Sequence, residues 1–164
     1  MTDLPKFVLD RSFDAPVAMV WRAWTDPALV TRWYGPGAKT SVHAYDLRPG
    51  GLWLGEMKKG DWAQRERVEF VEVDPPNRLV WRQSTADADW NIITSPMMPN
   101  WPKVLLTTIT FKQAGDHTDL RLVWEPYQAT PAERDSFAAA LAGLGRGWGA
   151  GMDILAALLV ELQA

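Results

Sequence analysis

Apolar residues recur three or four positions apart along the end of the chain, from Phe137 through Leu141, Leu144, Trp148, Met152, Leu155 and Leu159 to Leu162. That spacing lays one continuous stripe along a helix, so the pattern predicts a long amphipathic helix over residues 130–162 that needs a surface to lie on. Thr130 suits the cap. Pro131 suits the first helical position, where an N–H would be unpaired anyway, and Glu133 stands where a capping box needs its carboxylate. Through the middle of the stripe Gly143, Gly145, Gly147, Gly149 and Gly151 alternate, and each glycine costs roughly 1 kcal/mol against alanine in a helix interior. Tertiary contacts must therefore hold this segment helical. Two readings stay open: glycines that let a sheet come close, and a helix that lies over a cavity and bends.

Upstream the period changes to two. Residues 7–13 place Phe7, Leu9, Arg11 and Phe13 on one face, which is the pattern of a half-buried strand. Arg11, the polar exception, reads as half of an ion pair with an inward carboxylate such as Glu72. Pro16 opens a short helix with Val17, Val20, Trp21 and Trp24 on its apolar face. Asp26 then caps a second short helix that starts at Pro27, and Trp33-Tyr34-Gly35-Pro36 leaves it through a rigid turn. Strands are expected over residues 40–47, 52–57, 62–73, 78–83, 103–112 and 118–125, separated by Gly- and Pro-bearing turns.

Strand parity sorts the polar residues. Gln64 and Glu66 share a face with Val68 and Phe70, Gln83 with Leu79 and Trp81, and Thr107 with Leu105, Ile109 and Phe111. His43 shares parity with Tyr45 and Leu47, which points it inward. Residues 84–102 fit no regular period. With Trp90, Ile92, Met97, Met98 and Trp101 they are too apolar for a solvent loop, and read either as a flap over a site or as an insertion packed outside at a subunit contact.

Composition narrows the function. The 164 residues suit one domain spanning 1–164, and a net charge of -3 with both signs interspersed gives no footprint for nucleic acid. No apolar run approaches a membrane span and no signal peptide is evident, so a cytoplasmic location without membrane insertion is expected. Cysteine is absent and the two histidines lie far apart, so neither a metal site nor a cofactor is expected. Ten tryptophans imply either a very aromatic core or a pocket lined with rings.

Several of these segments, taken in order, carry a resemblance. They are Phe13-Asp14-Ala15-Pro16, then Val20 to Pro27, Trp33-Tyr34-Gly35-Pro36, Asp46 to Gly51, Glu72 to Leu79, and Gly147-Trp148. The chain resembles the START-like (SRPBCC) superfamily and, within it, the domain named after the activator of the ninety-kilodalton heat-shock protein's ATPase. The resemblance implies an α+β helix-grip fold, in which a curved antiparallel sheet of about six or seven strands wraps around a long C-terminal helix, with two short helices after the first strand. It also implies a cavity between sheet and helix.

The expected lining of that cavity is Trp33 or Tyr34 at the mouth, Trp53, Trp81 and Trp124 from the strands, and Trp148 and Met152 from the helix, with Gln64, His43 and Thr107 as polar contacts. The leading expectation is binding of a small hydrophobic or aromatic molecule without obligatory catalysis. The alternatives are a cyclase- or hydrolase-like enzyme using His43 or Glu66 as acid or base, and a co-chaperone that stimulates a heat-shock protein ATPase. A homodimer is compatible with the sequence.

Overall fold

The computed structural model describes residues 4–164. Its elements are β1 (Phe7–Phe13), α1 (Val17–Thr25), α2 (Pro27–Trp33), β2 (Lys39–Tyr45), β3 (Leu52–Lys59), β4 (Trp62–Asp74), β5 (Arg78–Ala86), β6 (Leu105–Ala114), β7 (His117–Pro126) and α3 (Pro131–Leu162). The seven strands form one antiparallel sheet in the order β1-β7-β6-β5-β4-β3-β2. Strands β2 to β7 therefore meander, and β1 closes the far edge beside β7. This is the helix-grip architecture, with the sheet curving around α3.

Local chemistry accounts for the boundaries. Asp26 ends α1 and caps α2, its carboxylate accepting from Ala28 N at 3.0 Å. Thr130 and Glu133 form the full capping box at the start of α3. The second Glu133 oxygen also accepts from Lys103 N at 2.6 Å. With that amide taken by the helix cap, β6 begins at Leu105 and not at Lys103. Strand β5 runs on to Ala86 because β4 continues to pair with it as far as Arg65.

Gly35 sets the path from α2 to β2. Its φ of +75° belongs to the left-handed region, and a Cβ there would stand 2.6 Å from Met57 Sδ and 2.8 Å from Thr40 Oγ1. Any side chain would force the turn away from the sheet.

Alternation fills the interior as the strand patterns require. Phe13, Val68, Phe70, Leu79, Trp81, Ile109, Phe111, Leu120 and Leu122 are all buried on the face toward α3. Helix α3 is fastened to this core at its two ends. Near its start Phe137 is fully buried, with its ring 5.6 Å from Trp101 and 6.2 Å from Trp124. Toward its end Met152, Leu155, Leu158 and Leu159 are buried, and Arg32 pairs with Glu161.

The ion pair expected between Arg11 and Glu72 does not form. Arg11 bonds Asp153 of α3 at 2.6 Å, and Glu72 bonds Arg78 at 2.9 Å. The reason is topological: β1 sits at the sheet edge beneath the end of α3, with β7, β6 and β5 between it and β4.

Between its fastened ends α3 meets the core through Leu141, Leu144 and Trp148, and its glycines face open space. An added Cβ at Gly143, Gly147 or Gly149 would meet nothing within 4 Å, and at Gly145 only the Phe7 ring, at 4.0 Å. Only at Gly151 does packing come near, with Pro36 at 3.8 Å. Close approach of the sheet thus does not account for the middle glycines. Gly149→Ala is expected to stabilise the protein by about 0.5–1 kcal/mol, because it removes unfolded-state freedom without a clash. A thermal melt should show a rise of about 1–4 °C, and a lower melting temperature would contradict the open surroundings of Gly149.

Candidate ligand-binding site

A cavity of about 390 Å³ occupies the space that α3 leaves. The end of α2 and the turn after it supply Trp33, Tyr34, Gly35 and Pro36; the strands supply Met57, Glu66, Gln83 and Trp124. Helix α3 contributes Leu144 and Trp148, and beside them Gly143, Gly147 and Gly151, which fall four residues apart on one stripe. The cavity opens to solvent along this stripe, where Gly143 and Gly147 are exposed.

The rings are interlocked. Trp148 stands 5.7 Å from Trp124 and 6.1 Å from Tyr34, both edge-to-face, and stacks 6.5 Å from Trp24. Trp33 is fixed by its own indole N–H, which donates to the Ala23 carbonyl at 2.9 Å. Such edge-to-face contacts hold ring orientation as well as burying area.

One charged group faces this aromatic space. Glu66 Oε2 accepts from the Tyr34 hydroxyl at 3.2 Å and from Gln83 Nε2 at 3.3 Å, and Oε1 from Gln64 Nε2 at 3.5 Å. Gln83 is oriented in turn by Trp81, whose indole donates to its Oε1 at 3.1 Å. Burial pushes the Glu66 carboxyl up to about 7, against the opposing pull of the Tyr34, Gln83 and Gln64 donors. Burial and the neighbouring carboxylate likewise hold the Tyr34 hydroxyl well above its ordinary range. Glu66 is therefore poised to change charge near neutral pH, while Tyr34 remains a donor.

Residues 14–160 match the family model described as Activator of Hsp90 ATPase homolog 1-like protein. The chain belongs to this family. Its fold is shared by protein Ms6760 of Mycobacterium smegmatis, 25% identical with a TM-score of 0.77 over 96% of both chains. It is also shared by protein CV1439 of Chromobacterium violaceum, 26% identical with a TM-score of 0.71 over 94% of this chain and 96% of that one. An Arthrobacter aurescens protein solved by NMR reaches a TM-score of 0.80 at 22% identity, covering 95% of this chain and 86% of that one. No curated protein matches the sequence.

In this member of the family two of the motif segments wall the cavity from opposite sides: Trp33-Tyr34-Gly35-Pro36 at the turn, and Gly147-Trp148 on α3. Of the residues singled out by sequence, Trp33, Tyr34, Glu66, Trp124 and Trp148 line the cavity, and Gln64 supports Glu66 from beside it. Trp53, Trp81, Thr107 and Met152 do not line it; they are buried in the surrounding core. Trp53 lies behind Tyr34 at 4.9 Å and Trp81 behind Trp53 at 5.7 Å, so the Trp53 ring separates Trp81 from the Tyr34 wall.

His43 does not face the hollow. A bulge between Val42 and Ala44 makes it the unpaired residue of β2, so strand parity reverses at this point. Val42 and Tyr45 both pack on the core, whereas His43 lies outside, 3.5 Å from Glu56 and 5.1 Å from the Trp90 ring. Gln83, Met57 and Leu144 are wall residues not proposed from sequence, although Gln83 carried a signal in its shared parity with Leu79 and Trp81 and Leu144 in the apolar stripe of α3; the glycine stripe answers the expectation of a helix lying over a cavity.

The irregular segment divides between two faces. The carbonyls of Ala88 and Trp90 accept from Arg65 at 2.6 Å and Arg67 at 3.1 Å, and the Arg65 guanidinium covers the Trp90 ring at 4.9 Å. These arginines alternate with Glu66, so this half of the segment straps the outer face of the sheet. Its later half turns inward, where Trp101 packs 6.1 Å from Trp124. There Trp101 and Pro102 close a small annexe of about 80 Å³ that borders the other side of Glu66, Gln83 and Trp124.

The pH dependence of stability reports on Glu66. Its folded value is raised, so the favourable contribution of the neutral carboxyl is fully present below about 4.5 and is lost as pH rises through about 7. Relative to Glu66→Gln, the native protein is expected to lose roughly 3 kcal/mol across that window and nothing further above it. Denaturant melts of both proteins between about pH 4 and 9 measure the difference; parallel curves would contradict the raised, uncompensated carboxylate.

Proposed function

We propose that the protein binds a small hydrophobic or aromatic molecule in the cavity between the sheet and α3, without obligatory catalysis. The observation that carries this reading is the cavity itself: about 390 Å³, walled by Trp33, Tyr34, Trp124 and Trp148, with a polar cluster at one point of its surface. Ligand sites of this kind commonly measure about 300–1,000 Å³ and combine apolar walls with a few oriented polar groups. The family supplies a ligand-binding fold, and the present walls supply its selectivity for apolar bodies.

An acid–base enzyme of the cyclase or hydrolase type is less well supported. Of its two candidate acid–base groups, His43 lies outside the cavity, which leaves Glu66 to carry the chemistry alone. Glu66 and the neutral Tyr34 are the titratable groups that line it among the described residues.

Binding of aromatic fragments, followed by calorimetry or tryptophan fluorescence, tests the reading. Trp148→Ala removes a wall, and Gly147→Leu places a side chain in the opening. Each is expected to weaken binding at least about tenfold, which corresponds to about 1.4 kcal/mol. Gly149→Ala, off the lining stripe, should leave affinity unchanged. Equal affinities in all three variants would place the ligand elsewhere.

A further inference from the structure

Glu66 is a half-buried carboxyl whose anionic form the fold leaves uncompensated. Its partners, Tyr34, Gln64 and Gln83, are all neutral donors. No Lys, Arg or His lines the cavity, and no ion pair to Glu66 forms among the described residues. The arginines on either side of it in β4 are committed to the outer face, Arg65 to Glu56 at 3.2 Å and Arg67 to the Trp90 carbonyl. Removing a carboxylate from water without an opposite charge is costly; protonation relieves that cost at lower pH, and above the raised pKa a bound cation does so.

Geometry leaves room for one. The two shorter bonds both fall on Oε2, while Oε1 receives only the 3.5 Å contact from Gln64 and keeps acceptor capacity. The surrounding walls are the rings of Tyr34, Trp124 and Trp148, whose faces carry partial negative charge and attract an ammonium group. A carboxylate and several aromatic faces together form the complement of a protonated nitrogen attached to an apolar body.

We infer that the cavity selects molecules bearing a basic nitrogen, an amine or ammonium group on a hydrophobic or aromatic body, with the nitrogen seated against Glu66 among the rings of Tyr34, Trp124 and Trp148. The inference rests on the ligand-binding reading and gives it a chemical class. It also brings a pH signature. Below about 7 the carboxyl is protonated, so an incoming cation must displace a proton, and affinity falls as the solution becomes more acid. Tyr34, from the end of α2, is the other titratable group facing Glu66 and is neutral throughout this range; the facing side chains from β4 and β5, Gln64 and Gln83, carry no charge.

The test is a matched series titrated by calorimetry at about pH 8: benzyl, naphthylmethyl and cyclohexylmethyl bodies, each as the primary amine, the alcohol and the carboxylate. For a body that fits, the amine is expected to bind at least about tenfold more tightly than the alcohol, and the carboxylate least. The amine's advantage should shrink toward about pH 5, and Glu66→Gln should erase it while alcohol binding persists, with near-ultraviolet circular dichroism confirming the fold. The comparison within the native protein stands even if that variant fails to fold. An alcohol that binds as tightly as its amine, or a Glu66→Gln protein that still prefers the amine, overturns the inference and leaves the ligand-binding reading intact. Failure of every body in every form overturns both.

Discussion

The structure depends on how one helix is held. Helix α3 carries five alternating glycines in its middle, and over that stretch it grips the core through only Leu144 and Trp148 among the described residues. Its helicity is imposed from outside: a capping box and Phe137 fasten one end, and Met152, Leu155, Leu158 and Leu159 the other. Because both ends are anchored, the unfilled middle persists as a hollow and does not collapse onto the sheet. The cavity is thus a by-product of where the contacts are, and its walls are whatever the neighbouring elements present.

What they present is mostly aromatic. The rings hold one another edge-to-face, which makes the walls stiff, and the indoles of Trp33 and Trp81 are fixed by hydrogen bonds while that of Trp124 has no partner among the described residues. Trp81 illustrates this. It lies outside the cavity, yet its indole orients Gln83, which in turn bonds Glu66. A chain of neutral donors therefore positions the carboxylate without cancelling its charge. A fold that needed this glutamate only for stability would gain more from an arginine partner or an apolar replacement.

Much of this was legible in the sequence, because the decisive signals were local. The capping box at Thr130, the Asp26-Pro27 restart and the turn at Gly35 each act within a few residues, and they set the element order. Parity placed Gln64, Glu66 and Gln83 inward because β4 and β5 run without a register shift through that stretch. The same rule misplaced His43, since the β2 bulge inserts one residue through pairing with β3 that no local pattern announces. Parity also states only which side a ring faces, not how deep it lies, so Trp53 and Trp81 could not be told apart from Trp124. The course of residues 84–102 depended on contacts with Arg65, Arg67 and Phe137, all distant along the chain.

The composition of the cavity's opening carries a kinetic consequence. Many ligand sites are closed by loops or lids that must move before a molecule can pass. Here the threshold is formed by Gly143 and Gly147 on one side and the Gly35-Pro36 turn on the other, residues with no rotamers to move. Exchange through such a doorway needs no opening event of the fold, so residence time is set by the contacts inside and not by a gate.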